Sequence, residues 1–313
     1  MKAYTYECAA ISAGKGVNVF SDFDVYSYFR EEKFSREHIA LNIFRNQIKT
    51  SFGVYYHNDS LRTLRYYEKE VHIVCPWEQT GDGHILLYAA YPFFEFQRQK
   101  SGYVSAYSAA VALKGKGILF FGKIGAGKTS LSLDLCRRYG AVLIGNDLTI
   151  VGLENQEIYL KEGTKFFFLR YESVRRNMPV FLSLFPEKPE DSWLCKVKVA
   201  PEQLGIQIAR GEILADKIYL VHIDESSTSL LVQKDDTLVT KLFLNENFSR
   251  YIRGTSLALL VGEKLEFLGY VPSYDKIEFY DFRVRLIEAI MSRIFYISGS
   301  LNAVSDYIAN QIF

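Results

Sequence analysis

Apolar runs broken by glycine and polar clusters fill the first third of the chain. Residues 71–77 (VHIVCPW) and 84–96 (HILLYAAYPFFEF) are apolar, and Gln79, Thr80, Gly81, Asp82 and Gly83 between them have turn chemistry. That arrangement predicts strands joined by a turn, and residues 1–97 read mostly as strands. The stretch from Phe29 to Arg45 fits either a helix or an irregular linker. Arg98 to Gly102 is polar and marks a boundary. Residues 1–98 are therefore expected to form a β-rich N-terminal accessory domain and residues 99–313 a second domain.

The pattern changes after the boundary. Tyr103 to Leu113 is small and apolar, residues 114–117 (KGKG) form a turn, and Ile118 to Phe121 is a short buried strand. Together they predict a hairpin, with glycines supplying the positive φ that tight turns need. Thr129 to Arg138 reads as a helix: Leu131 and Leu135 share a face, Arg137 and Arg138 occupy the last turn, and Gly140 stops it. Ala141 to Ile144 and Lys217 to Ile223 are strand candidates. Asn247 to Leu260 and Lys276 to Ser298 look helical, as does a shorter segment near Asn302 to Ile312. Alternating strands and helices predict an α/β second domain.

Composition narrows the function classes. Lys and Arg total 37 against 36 Asp and Glu, a formal net charge of +1, which argues against a large nucleic-acid footprint. Aromatic residues reach 15%, but no basic stripe runs among them, so the rings are assigned to the core. Cys8, Cys75, Cys136 and Cys195 form no C-x-x-C pair and imply neither zinc nor a disulfide framework. His38, His57, His72, His84 and His222 show no metal-ligand spacing. The N-terminus is too polar for a signal peptide, and the most apolar stretch, Ile85 to Phe94, is too short to span a bilayer. The expectation is a cytoplasmic protein without a membrane or nucleic-acid partner.

The chemistry concentrates at Gly122, Lys123, Ile124, Gly125, Ala126, Gly127, Lys128 and Thr129, which fit G-x-x-x-x-G-K-[ST]. A buried strand precedes them and an amphipathic helix follows. A polyphosphate needs many donors at short range. Glycines let main-chain N–H groups converge, and the helix N-terminus adds unpaired N–H groups and a positive dipole end. Lys128 is the expected charge on the β- and γ-phosphates, and the Thr129 hydroxyl the expected Mg²⁺ ligand. Ser130 is grouped with the loop as a helix-start residue.

Phosphoryl transfer also needs an acid that handles Mg²⁺ or accepts the acceptor's proton. Two strand ends offer one. Asp147 follows Ala141 to Asn146 and would reach the phosphates if its strand returned beside the loop strand. Asp224 and Glu225 follow Ile218 to Ile223 and have the look of the acidic strand of an ATPase.

The stretch from Tyr103 to Leu153 resembles the catalytic domain of HPr kinase/phosphorylase, whose nucleotide-binding core is shared with phosphoenolpyruvate carboxykinases. The resembling features are the hairpin, the loop at 122–129 with its single helix, and the strand ending in Asn146 and Asp147. A weaker similarity extends through 191–196 and 250–254. The resemblance implies a mixed-sheet α/β kinase domain that uses ATP and Mg²⁺ to phosphorylate a hydroxyl, often a serine, of a peptide or small metabolite. It implies that Lys128 holds phosphate, Thr129 holds metal, and Asp147 is the carboxylate near the acceptor and a metal ligand. It also implies homo-oligomers. Two residues depart from the family pattern: Tyr107 stands where relatives often carry histidine, and Asn146 where HPr kinases carry the first acid of a pair. The glycine-rich segment tied to HPr phosphorolysis has no match, so the resemblance does not point to HPr as the acceptor. Two other readings stand beside the kinase: a nucleotide sensor without phosphotransfer, and an ATPase using Asp224 and Glu225.

Further cations are weighed as anion contacts or solvated faces. They are Arg170, Arg175 and Arg176 in the basic stretch 161–176, Arg250 and Arg253 three apart on a predicted helix, and Lys196 and Lys198 on a half-exposed strand.

Overall fold

A computed structural model describes residues 4–29, 41–186, 189–254 and 258–312. Most of the stretch from Phe29 to Arg45, whose conformation the sequence left open, lies outside them. The chain divides into two compact units, residues 1–105 with 246–283 and residues 106–245 with 284–313. The division assigns residues 99–105 and 246–283 to the first unit, whereas the sequence reading gave all of 99–313 to the second. Each unit has its own apolar core, and the architecture is mixed α/β.

The first unit holds strands β1 (Tyr6–Ser12), β2 (Lys15–Ser21), β3 (Leu41–Phe44), β4 (Gly53–His57), β5 (Thr63–Tyr66) and β6 (Glu70–Val74), with helices α1 (Val25–Phe29) and α2 (His84–Lys100). The sheet order is β3-β1-β2-β4-β6-β5. Alternate residues Val17, Val19, Val54, Tyr56, Val71 and Ile73 turn inward to a core shared with α2.

Helix α2 overturns a sequence expectation, because residues 84–96 read as strand. The segment is buried on nearly every side, through Ile85, Leu86, Leu87, Ala89, Ala90, Tyr91, Phe93 and Phe94. A helix apolar all round has no 3.6-residue period to detect, and length becomes the better guide. Its 17 residues exceed an ordinary strand. Pro92 lies inside it. Gly83 caps its start at φ +87°, where a Cβ would come within 2.5 Å of the Phe29 ring. The expected break after residue 98 therefore falls inside a helix.

Strand β7 (Tyr103–Tyr107) carries the chain onward to β8 (Ala109–Leu113), β9 (Lys116–Phe121), helix α3 (Lys128–Tyr139), β10 (Val142–Gly145), β11 (Leu148–Glu154) and β12 (Glu157–Gly163). A small pair, β13 (Phe167–Arg170) and β14 (Lys196–Val199), brackets helix α4 (Tyr171–Asn177). Then come β15 (Ile213–Ile223), β16 (Leu231–Lys234), helix α5 (Leu238–Arg253), the hairpin β17 (Ala258–Val261) and β18 (Glu266–Tyr270), helix α6 (Ile277–Met291), β19 (Ile294–Gly299) and helix α7 (Leu301–Asn310). The two helices expected over 247–260 and 276–298 thus each give way to a strand.

The large sheet has nine strands along the path β10-β8-β9-β15-β12-β11-β7, with β19 beside β15 and β16 beside β19. Its center is parallel, since β9, β15 and β19 run the same way. The hairpin β8–β9 is antiparallel, as the glycine turn predicts. Strand β10 does not return beside β9, as the sequence reading had supposed: it pairs with β8, and β15 is the parallel neighbour of β9. Among the described residues, no helix is long and apolar enough to cross a membrane.

Candidate nucleotide site

Strand β9 is buried from Gly117 to Phe121, so the chain leaves the core only at Gly122. Helix α3 starts at Lys128, and the intervening turn is anchored to the end of β15. Ala126 donates its N–H to the Lys123 carbonyl at 3.1 Å, and its own carbonyl accepts from the Ile223 N–H at 3.0 Å. Two glycines are dictated by this anchorage. Gly127 has φ +89°, and a Cβ there would lie 2.4 Å from Ile223 Cγ1. A Cβ on Gly122 would meet the Val221 carbonyl and Ala126 Cβ at 2.9 Å. Gly125, at φ +84°, faces open space. Lys123, Ile124 and Gly125 form the exposed rim.

Lys128 is 5% exposed. Its Nζ donates to the Gly122 carbonyl at 2.7 Å and the Lys123 carbonyl at 3.1 Å, and stands 4.2 Å from the center of the Tyr107 ring. The ring's electron-rich face attracts an ammonium. Burial pushes the Lys128 pKa down to about 8, and the charge of Asp147 pulls it back up. Thr129 follows, half-buried, and Ser130 is buried in the first turn of α3.

Asp147 sits between β10 and β11 at φ +66°, a left-handed value that aspartate tolerates better than most side chains. Leu148 N–H donates to the Asn146 carbonyl across it at 2.9 Å, the hydrogen bond of a three-residue γ-turn. Residues 164–166 brace the turn. Asn146 N–H donates to the Thr164 carbonyl at 2.9 Å, Asn146 Nδ2 to the Phe166 carbonyl at 3.1 Å, and Lys165 Nζ to the Ile144 carbonyl at 2.7 Å. Burial holds the Lys165 pKa below its usual range. The brace needs Gly145 and Gly163, because a Cβ on either would lie within 2.6 Å of the other's Cα. Asn146 Oδ1 is buried and without a hydrogen-bond partner among the described residues.

The rival acids are engaged elsewhere. Glu225 Oε1 accepts the Leu301 N–H at 2.8 Å, at the start of α7. Asp224 Oδ1 accepts from the Ser226 N–H at 2.9 Å and hydroxyl at 2.6 Å, and these bonds hold its carboxyl below the usual carboxylate range.

The other candidate cations divide. Arg170 donates to the Trp193 carbonyl, Arg175 pairs with Glu172 at 2.9 Å, and Arg176 lies 5.3 Å above the Trp193 ring. Lys196 and Lys198 stand opposite Arg170 and Phe168 in the β13–β14 pair, and the Lys198 ammonium is 3.8 Å from the center of the Phe166 ring. Arg250 and Arg253 belong to the first unit, where Arg253 pairs with Glu246. Among the described residues, no group of three or more His, Cys, Asp or Glu could hold a metal.

The structure places the 122–129 turn between β9 and α3, Lys128 at the start of α3, and the two acidic ends after β10 and β15. The sequence reading did not find the brace from Thr164, Lys165 and Phe166, for which the paired Gly145 and Gly163 were the available signal. It noted Tyr107 only as a departure from a family pattern, without its contact to Lys128.

No known protein family matches the chain, and no curated protein matches it. Among solved structures, the HPr(Ser) kinase/phosphatase from Coxiella burnetii is similar over 43% of this chain and 78% of that one, at 13% identity and a TM-score of 0.28. So slight a likeness assigns no activity to this chain.

Proposed function

We propose that the second unit binds ATP with Mg²⁺ at residues 122–129 and transfers the γ-phosphoryl group to a hydroxyl of a peptide or small metabolite. The observation that carries this reading is the state of Lys128. A buried ammonium at a helix start, held by two of its own loop's carbonyls, an aromatic face and the field of Asp147, is poised to exchange the carbonyl contacts for phosphate oxygens. The loop N–H groups and the open end of α3 add the remaining donors.

The residues suit the nucleotide and its metal. Mg²⁺ bound with a nucleotide takes few protein ligands, so the Thr129 hydroxyl and a carboxylate suffice, and no three-residue metal cluster is required. Held there, Mg²⁺ would neutralise charge on the transferring group. Asp147 is the carboxylate whose field already acts on Lys128. In the transfer, the acceptor oxygen forms a bond to the γ-phosphorus, the bond from that phosphorus to the β,γ-bridging oxygen breaks, and the acceptor proton passes to Asp147. ADP leaves with the bridging oxygen. Most of the acceleration comes from positioning and charge neutralisation. Tyr107 acts as a positioning residue for the Lys128 ammonium.

The test is Lys128→Ala, with Lys128→Met as a bulkier control. Binding of a fluorescent ATP analogue and release of labelled product are measured against a panel of peptides and hydroxyl metabolites. Loss of both in either variant supports the reading, and full activity of both variants ends it. Tight binding by the unaltered protein, with no product and no ADP, turns the assignment to a nucleotide sensor.

A further inference from the structure

The first unit contains a hollow of about 430 Å³, a volume in the range of small-molecule pockets. Lys15, Lys69, Lys100 and Lys276 line it, against a single carboxylate, Glu68. The whole chain carries a formal net charge of only +1, so this is a local concentration of positive charge. The lysines come from separate elements: the start of β2, the turn between β5 and β6, the last turn of α2, and the residue before α6.

Two of the ammonium groups are held in place. Lys15 Nζ donates to Ser101 Oγ at 2.6 Å, and Lys276 Nζ lies 5.1 Å from the center of the Phe96 ring. Phe96 and Phe52 both line the hollow, with ring centers 5.8 Å apart. The hollow thus combines ammonium groups with an apolar wall. A ligand with two or more negative charges can pair with several of these lysines at once. Lysine offers a compact charge with three rotatable donors, which suits phosphate and carboxylate oxygens alike.

We infer that this hollow is a binding site for a small organic polyanion, bearing phosphate or carboxylate groups on a compact carbon skeleton. It does not depend on the nucleotide proposal and lies in the other unit.

The experiment is calorimetric titration of the full chain carrying Lys128→Ala, at low salt and without divalent metal, so that the 122–129 loop does not contribute. Pyrophosphate and citrate are the two probes, and they separate phosphate from carboxylate preference. Saturable one-to-one binding of at least one probe is expected. Adding Lys69→Ala with Lys276→Ala weakens it by about tenfold or more, since charge-assisted contacts are lost. Glu68→Gln, which removes the opposing charge at an exposed position, tightens it. Failure of both probes to saturate overturns the proposal. So does binding that neither the double lysine variant nor Glu68→Gln changes.

Discussion

Two strands of the second unit end in acidic residues, and the two ends do different work. Strand β15 lies directly beside β9 and continues into Asp224 and Glu225, while β10 lies one strand further away and continues into Asn146 and Asp147. By adjacency alone, the β15 acids are the better placed. One oxygen of each, however, already accepts a hydrogen bond, from the N–H of Ser226 and of Leu301 respectively. The end of β15 instead supports the loop through its backbone, since Ile223 N–H bonds the Ala126 carbonyl and the Ile223 side chain forbids a Cβ at Gly127. The β10 end supplies charge: Asp147 acts on Lys128 from a turn that residues 164–166 hold in shape. The two ends thus differ in what their carboxylates face: the N–H groups of Ser226 and Leu301 at one, the Lys128 ammonium at the other.

The strongest way to break this contrast is to exchange the acids. Asp147→Asn is expected to lower turnover by about 10²–10⁴-fold, the range for removing a general base, with little change in melting temperature. Glu225→Ala should leave turnover nearly unchanged and cost about 1 kcal/mol of stability, because the start of α7 loses a charged acceptor. Turnover assays and thermal melts on the same preparations decide it. Turnover that depends on Glu225 and ignores Asp147 reverses the assignment.

The scaffold half of the contrast is tested at glycines. Gly127→Ala forces a Cβ against Ile223 at a left-handed φ and should destabilise by on the order of 2–4 kcal/mol. Gly125→Ala has a similar φ but open surroundings, so only the backbone cost remains, about 1 kcal/mol. Equal melting shifts for the two variants would mean that the end of β15 does not support the loop.

These distinctions were unequally legible in the sequence. The hairpin, the loop and α3 were readable because glycine turns, a short apolar strand and a capped amphipathic helix are local signals, and local preference agrees with the fold there. Helix α2 was not readable, because burial on nearly every side erased its period. The order β10-β8-β9-β15 is set by pairing between distant segments, so no local pattern revealed that β10 is not the neighbour of β9. For the same reason the two acidic ends looked equivalent: Leu301, which occupies Glu225, lies 76 positions downstream. Even the packing of Gly127 on Ile223 spans almost a hundred positions, although the glycine itself was expected on loop grounds.

The finest test of the contrast is pH. Lys128 titrates near 8 in the folded protein, against 10.5 for the ordinary side chain. Between those values the unfolded chain binds more protons at this residue than the folded one, so the Lys128 contribution to stability improves as pH rises through the window. Under the proposed nucleotide reading, affinity should move the opposite way, because the ammonium that would face the phosphates is being lost. It should be flat below the titration and fall by up to about tenfold per pH unit above it. Lys128→Arg stays charged throughout and should lack this descending limb, although its absolute affinity will differ. Asp147 sharpens the test, since its charge supports the protonated form of Lys128. Asp147→Asn should shift the descending limb to lower pH, and Glu225→Gln should leave it in place. A limb that stays fixed in Asp147→Asn would show that the carboxylate after β10 does not act on the loop lysine, and the distinction between the two strand ends would fail.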